Sequence, residues 1–335
     1  MLAGVVLKSS VLKSLFSDLS SLIPAGAKNV PVGFNLSKGV LRVTCNALCN
    51  YEAEISVNST DTVLVTVLYS SLQDLVSNEG ESTLELQEMG INVISGDVTR
   101  FFKVAHSMVS PIEYGDLNWK TIGSSYAISA LRMLAKTPLV SLYKKEPPVD
   151  VFNELAILKY PNIWVQARVP GFPCNVTFTQ DCIKVISAFS PKQLCMYNND
   201  YVVFGKPGAK LFVPVKMCTD VSTIAQLIPK DGKCVRLGMG KFGNSLRLLK
   251  LSGCSRASIS MFEKAIVVQG NTEDGNVRLR LGSDESKFFC SFDLPVELLM
   301  FCFNLFTDCL VDLIYKEGVL CIRNQDLVLV VRALV

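Results

Sequence analysis

Apolar positions along the chain recur with two different periods. From Leu12 to Ile23 they follow the i, i+3, i+4, i+7 spacing of one helix face, and Pro24 ends the run. Ile128, Leu131 and neighbouring apolar residues repeat this spacing opposite a polar face. Runs that alternate apolar and polar residues, rich in β-branched side chains, predict strands. These runs are 40–44, 54–57, 62–67, 163–169, 245–251 and 276–281.

One pattern, a short amphipathic helix followed by three strands, occurs three times, at residues 68–105, 178–215 and 292–334. In the second copy the strands are predicted at 193–197, 201–204 and 210–215. Each copy has a polar turn between its first two strands, as a tight hairpin requires. These turns are Glu88-Met89-Gly90, Asn198-Asn199-Asp200 and Lys316-Glu317-Gly318.

A second helix is expected at the start of each third of the chain. In the last third it is predicted at residues 221–228, and the glycine-rich segment 238–243 is interpreted as a turn between strands. The pattern predicts an α+β protein of three tandem domains, each with two helices packed on antiparallel sheets. Their predicted bounds are 1–115, 116–218 and 219–335.

Composition narrows the class of protein. The chain is 49% hydrophobic, yet its apolar runs are far shorter than the roughly 20 residues that cross a bilayer, so we expect no membrane span. Twelve scattered cysteines are typical of a reducing compartment, and we expect a cytoplasmic protein. The net charge is only +3, but residues 116–218 carry 12 basic and 6 acidic side chains.

Catalytic chemistry is not indicated. The single histidine, His106, cannot form a histidine metal cluster, and Cys45 and Cys49 lack a second closely spaced cysteine pair. No phosphate-binding Gly-rich motif with a following lysine is present. We therefore predict that the protein is not an enzyme and has no cofactor and no metal.

The order helix, three strands, helix, three strands, repeated three times, resembles the DNA sliding clamps, in particular the three-domain bacterial β-clamp type. The resemblance is carried by the segments SLQDLV, CIKVISAFSPKQL and PVELLMFCFNLF and by the final strand LVLVVRALV. It implies a ring of six domains, made by a head-to-tail homodimer, with helices around a central hole. The expected role is a DNA polymerase processivity factor that slides on double-stranded DNA without reading its sequence. The expected protein partners are DNA polymerase and a clamp loader, both binding through short peptides.

The resemblance also implies site residues. The predicted DNA-facing residues are Lys8, Lys13, Arg132, Lys136 and Lys184, together with the loop residues Lys144 and Lys145. The predicted pocket for partner peptides starts at Pro191 and Leu194, and its far wall is Val330, Val331 and Leu334. The alternatives are that the basic residues belong to ordinary solvated helix faces and that the apolar strand is plain core.

Other functions stay open at this point. Divergence from cellular clamps suggests a viral, bacteriophage origin, and such a clamp can act as a transcription co-activator. A monomeric processivity factor like those of herpesviruses is a second possibility. A structural or interaction protein of repeated α+β domains, with no role on DNA, is a third.

Overall fold

The computed structural model describes residues 2–24, 27, 29–72, 81–105, 107–109, 114–122, 125–136, 143, 145–219, 224–272, 275–282, 287–306 and 309–332. The helices are α1 (Ser9–Leu22), α2 (Tyr69–Leu72), α3 (Ser125–Lys136), α4 (Gln180–Phe189), α5 (Gly240–Leu251) and α6 (Val296–Leu305), with a 3-10 helix at Ile224–Leu227.

The strands of the first third are β1 (Leu2–Lys8), β2 (Pro31–Ser37), β3 (Val40–Asn46), β4 (Asn50–Ser56), β5 (Val63–Leu68), β6 (Glu81–Gln87), β7 (Gly90–Ser95) and β8 (Val98–Lys103). Those of the middle third are β9 (Lys120–Thr121), β10 (Val149–Phe152), β11 (Leu155–Tyr160), β12 (Ile163–Arg168), β13 (Val176–Phe178), β14 (Gln193–Tyr197), β15 (Tyr201–Lys206), β16 (Ala209–Pro214) and the short β17 (Lys216–Met217). Those of the last third are β18 (Lys233–Gly238), β19 (Arg256–Phe262), β20 (Ala265–Thr272), β21 (Gly275–Gly282), β22 (Phe288–Pro295), β23 (Leu310–Lys316), β24 (Val319–Arg323) and β25 (Leu327–Arg332).

The element order repeats three times. Each repeat is strand, helix, three strands, and then the same again: β1 to β8 with α1 and α2, β9 to β16 with α3 and α4, and β18 to β25 with α5 and α6. This confirms the predicted fold class of three tandem α+β modules. The predicted domain bounds at residues 115 and 218 stay a prediction.

Unit 1 comprises Met1–Ile122 and Asp181–Met217. One of its sheets has the order β1-β6-β7-β8, and the other runs β5-β2-β3-β4-β16-β15-β14-β9. The second sheet joins two repeats, because β4 pairs antiparallel with β16, with Ala53 opposite Ala209 and Tyr51 opposite Leu211. Large buried side chains, including Leu19, Phe34 and Phe204, fill the core.

Unit 2 comprises Gly123–Gln180 and Cys218–Val335. Eight of its strands are consecutive members of one sheet in the order β13-β10-β11-β12-β25-β24-β23-β18, and a second sheet runs β21-β20-β19-β22. Here too a sheet joins two repeats, because β12 pairs antiparallel with β25, with Val165 opposite Leu329. In both units, therefore, the last strand of one half-repeat pairs with the last strand of another half-repeat.

The three predicted turns are confirmed. Asn198 and Asn199 have φ values of 50° and 58°, and Glu317 and Gly318 have φ values of 48° and 77°. Glu317 and Gly318 form a two-residue loop between Lys316 and Val319, whose left-handed conformations match the twist of the hairpin, and the loop between Tyr197 and Tyr201 has three residues. None of the helices in the described residues has the length and apolar character needed to cross a bilayer.

Three predictions for the last third are wrong. Within residues 221–228 the described structure is only the 3-10 helix Ile224–Leu227, and the full helix is α5. α5 begins inside the glycine-rich segment interpreted as a turn and includes all of 245–251, which was predicted to be a strand. Leu246 and Leu249 point into the core one turn apart, so tertiary packing overrides the weak helix propensity of the glycines.

Candidate functional site

Exposed basic side chains lie on several helices. Lys13 is exposed on α1, Arg132 on α3 and Lys184 on α4, as expected for residues on the solvent face of amphipathic helices. Lys184 Nζ lies 2.9 Å from Asp181 Oδ1, so an acidic neighbour partly offsets its charge. The predicted DNA-facing role of these three residues stays a prediction.

The remaining predicted DNA-facing residues have other positions. Lys8 is exposed, but it is the last residue of strand β1, opposite Glu81, rather than part of a helix. Lys145 is exposed in a bend before β10. Lys136 ends α3 and its side chain lies outside the description, as does the whole of Lys144.

Helix α5 supplies two basic residues that sequence reasoning missed. Arg247 and Lys250 are exposed three residues apart, and Leu248 beside them is 55% exposed. The spacing of Leu246 and Leu249 between these basic residues is typical of an amphipathic helix, but three glycines nearby favoured a turn. Its partner helix α6 is mostly buried and apolar, and its exposed Glu297 lies in the first turn.

A buried ionic contact holds α1 against the strands of unit 1. The Asp18 carboxylate accepts a hydrogen bond from the Tyr51 hydroxyl at 3.0 Å and lies 2.6 Å from Lys206 Nζ. The ammonium group of Lys206 also lies 4.5 Å from the centre of the Phe189 ring on α4. Burial and the Asp18 charge raise the pKa of Tyr51, so this hydroxyl remains a donor. We call Asp18, Tyr51, Lys206 and Phe189 the Asp18 cluster.

An apolar surface lies where the 3-10 helix crosses the large sheet of unit 2. Ile224 is fully buried against Ile157, Ile314 and Val330. Around this cluster lie side chains that are only partly buried and can still contact another molecule: Phe152, Leu155, Trp164, Leu227, Ile228, Val319 and Val328. Arg332 at the end of β25 lies 5.3 Å from the Trp164 ring centre, which adds a cation at the rim. We call this surface the unit 2 groove.

A cavity of about 470 Å³ borders the unit 2 groove. Its walls combine apolar Ile228 and Val328 with a short ionic pair, in which Arg236 Nε lies 2.7 Å from Asp312 Oδ1. The hydrogen bond from Arg236 lowers the pKa of Asp312, so the carboxylate stays charged at neutral pH. A cavity with apolar walls and a few fixed polar groups is the usual form of a binding site.

The predicted peptide pocket combines residues of both units. Pro191 and Leu194 belong to unit 1, whereas Val330 and Val331 belong to unit 2. Leu194, Val330 and Val331 are buried, so their side chains support the sheets from below rather than line an open surface. Leu334 lies outside the described residues. The pocket stays a prediction. Of its predicted residues, Val330 lies in the buried cluster beneath the unit 2 groove, whereas the partly buried side chains of the groove were not predicted from the sequence.

Reactive or metal-binding groups do not gather in the described residues. No cluster of three or more histidine, cysteine, aspartate or glutamate side chains there is arranged to hold a metal ion. Burial raises the pKa of the Cys45 thiol to about 12, and that of Cys321 likewise to about 12, so both are protonated at neutral pH. These thiols act as small apolar side chains.

No protein-family model and no curated protein sequence matches the chain. Solved structures do match. The Helicobacter pylori beta clamp bound to DNA ligase peptide has a TM-score of 0.79 and 10% identity, covering 99% of this chain and 100% of that chain. DNA polymerase III beta subunit from Thermotoga maritima has a TM-score of 0.76 and 11% identity, covering 98% of both chains.

The DNA polymerase III subunit beta from Pseudomonas aeruginosa gives a TM-score of 0.78 at 10% identity, covering 98% of this chain and 99% of that chain. At such identities the likeness establishes the fold. The chain has the fold of the bacterial β clamps along its whole length, as its repeat pattern predicted.

Proposed function

We propose that this protein is a DNA sliding clamp, a processivity factor that encircles duplex DNA and tethers polymerase and other replication proteins. The observation that carries the proposal is the β-clamp fold over 99% of the chain. Exposed cations on α1, α3, α4 and α5 support it, because weak attraction to phosphates suffices when topology prevents dissociation. The proposed function requires no catalytic group.

The sheet edges support ring closure by two copies. Strand β4 pairs with β16, and β12 pairs with β25, so a first-half sheet pairs with the second-half sheet of a neighbouring repeat. Of the last strands of the half-repeats in the described residues, β8 and β21 are the two that lie at the end of a sheet, one of each kind. We infer that β21 of one copy pairs with β8 of the other, which closes the ring and covers both edges.

Side chains on these two strands fit such a pairing. Val277, Leu279 and Leu281 are half-buried along one face of β21, where they would lie beside the side chains of a strand added at this edge. On β8, Phe101 is 53% exposed. Arginines at 278 and 280 on the other face of β21 can pack against this ring, since guanidinium groups stack well on aromatic faces.

The unit 2 groove is the proposed docking site for partner peptides. Its partly buried apolar side chains suit a short segment with two or three apolar anchors, and Arg332 and Arg236 at its borders suit an acidic residue beside them. Polymerase and clamp loader are the proposed partners. The identity of the source as a virus and the cytoplasmic location stay predictions.

Topological trapping tests the proposal without a clamp loader. The protein is allowed to thread onto a linear duplex with one end blocked, and the second end is then blocked by streptavidin. A ring stays on the doubly blocked duplex through a wash at high salt and leaves the singly blocked one. Loss from both duplexes at the same rate would contradict encirclement.

Matched variants sharpen this test. Leu279→Asp introduces a charge at the proposed junction, so we expect the mass in light scattering to fall from two chains to one and retention to be lost. Met108→Asp places the same charge at a side chain that is 71% exposed, and it should change neither. A monomeric wild-type chain that still supports processive synthesis would favour the herpesvirus-like alternative. A chain with no effect on DNA synthesis would favour an interaction protein.

A further inference from the structure

Unit 1 contains a second cavity, of about 390 Å³, at the join between β4 and β16. Three lysines line it, at positions 192, 206 and 210. Trp119, from the segment that precedes α3, forms another wall. Its ring lies against Gly205, where an added Cβ would come within 2.9 Å of the indole. This cavity is separate from the unit 2 groove and has different chemistry.

The two cavities occupy the same place in the repeat. Each is lined by the start of the strand after a second-half helix, β14 or β23, and by the hairpin between the last two strands, β15–β16 or β24–β25. Each also includes a residue of the segment between repeats, Trp119 in unit 1 and Ile228 in unit 2. The fold therefore builds this cavity twice, once with lysines and an indole and once with apolar walls and an ion pair.

The two glutamates of the unit 1 cavity, Glu52 and Glu54, each accept a hydrogen bond through one carboxylate oxygen. The Tyr114 hydroxyl donates to Glu52 Oε1 at 2.6 Å, and Arg42 Nη2 donates to Glu54 Oε1 at 2.8 Å. Lys210 contacts both Tyr114 and Glu52. The other carboxylate oxygen of Glu52, Oε2, is buried and has no hydrogen-bond partner among the residues described.

We propose that the unit 1 cavity is a second docking site, which binds an acidic peptide segment of a partner protein. Lys206 is paired with Asp18 and Lys210 with Glu52, whereas Lys192 has no acidic partner among the described residues and attracts a carboxylate of the segment. Trp119 packs against an apolar residue next to that carboxylate. A peptide N–H can donate to the exposed carboxylate of Glu54 in the cavity wall, whereas a phosphate group at neutral pH is mainly an acceptor. This donor requirement favours a peptide over the phosphate backbone of a nucleic acid.

Trp119 provides a direct readout. The chain has two tryptophans, so the Trp164→Phe variant of the full chain leaves Trp119 as the only indole. The probe is a decapeptide with four glutamates around a Leu-Phe pair, titrated while the Trp119 emission is recorded. We expect a saturable change in emission that weakens as salt is added, because the carboxylate contacts are screened.

Lysine variants test the cavity itself. Lys192→Gln should weaken the apparent affinity about two- to fivefold, the range for one partly exposed ionic contact. Lys38→Gln removes an equal charge in the turn between β2 and β3 and should leave the affinity unchanged. Gly205→Ala displaces the indole without altering any charge and should also weaken binding.

Four results would overturn the proposal. The first is an emission that does not respond to the peptide, and the second is equal weakening by Lys192→Gln and Lys38→Gln. The third is a single-stranded decanucleotide that binds as tightly as the peptide with the same dependence on Lys192. The fourth is binding of a peptide in which lysines replace the glutamates. The inference does not depend on encirclement of DNA, so it can fail while the trapping experiment succeeds.

Discussion

Removing the ammonium group of Lys206 tests whether the Asp18 cluster stabilises unit 1. The Asp18 side chain is 8% exposed and that of Lys206 is 21% exposed, and their charged atoms lie 2.6 Å apart. In Lys206→Met, the Asp18 carboxylate keeps only the Tyr51 hydroxyl as a described partner. Losing one partner of a largely buried pair costs several kcal/mol, and partial exposure of Lys206 reduces this, so we expect a loss of about 2 to 3 kcal/mol.

A double-mutant cycle separates the ionic contact from lost packing. Lys206→Met also removes the contact with Phe189, which contributes about 0.5 to 1 kcal/mol. Combined with Asp18→Asn, the cycle isolates the Asp18–Lys206 term, expected at about 1.5 to 3 kcal/mol. The assay is urea unfolding monitored by circular dichroism, with hydrogen exchange of α1 amides to locate the effect in unit 1.

Lys184 offers a matched control. Its ammonium group lies 2.9 Å from Asp181, but the two side chains are 48% and 66% exposed. Lys184→Met should therefore cost no more than about 1 kcal/mol, the upper range for solvated pairs. If Lys206→Met costs no more than Lys184→Met, or if the cycle gives no coupling, burial of the Asp18 cluster does not strengthen its contacts and the reasoning is refuted.

Two further predictions concern backbone and pH. Gly90→Ala should lower the free energy of unfolding by about 1 to 3 kcal/mol in urea, because Gly90 has φ +154° and a Cβ there meets the Phe102 carbonyl oxygen. At Gly96, which has φ +58°, an added Cβ meets nothing within 4 Å, so Gly96→Ala should cost less. The pKa of Asp312 is lowered in the folded state, so its contribution to stability is present above the unfolded value of about 3.9 and is lost as pH falls through the folded value. Asp312→Asn should therefore reduce the difference in unit 2 stability between pH 5 and pH 2.5, and an unchanged difference would contradict this assignment.

The sequence was most informative where local pattern and tertiary packing agree. In the second repeat, β14 begins and ends at the predicted residues, and β15 and β16 lie within two residues of their predictions. Here alternating burial, polar turns and β-branched residues all favour the same structure. Helices α1 and α3 were predictable for the same reason, since their apolar faces have a clear period.

Prediction failed where long-range contacts decide. Helix α5 contains two glycines and lacks a capping side chain at Met239, so its sequence resembles a turn, and only the burial of Leu246 and Leu249 makes it helical. The unit 2 groove was missed because it joins side chains of β12, β25 and the 3-10 helix, which are far apart in sequence. The periodicity of apolar residues shows which side chains share a face of one helix or strand, but it does not show which distant segments pack together.

The pairing of β12 with β25 has a consequence for how the chain is made. Residues 163–167 of β12 find their partners only at residues 327–331. During synthesis from the amino end, β12 must therefore wait for nearly half of the polypeptide to leave the ribosome before its edge is covered. Contacts of such long sequence separation fold slowly, so this strand is the segment on which we expect a nascent-chain chaperone to act.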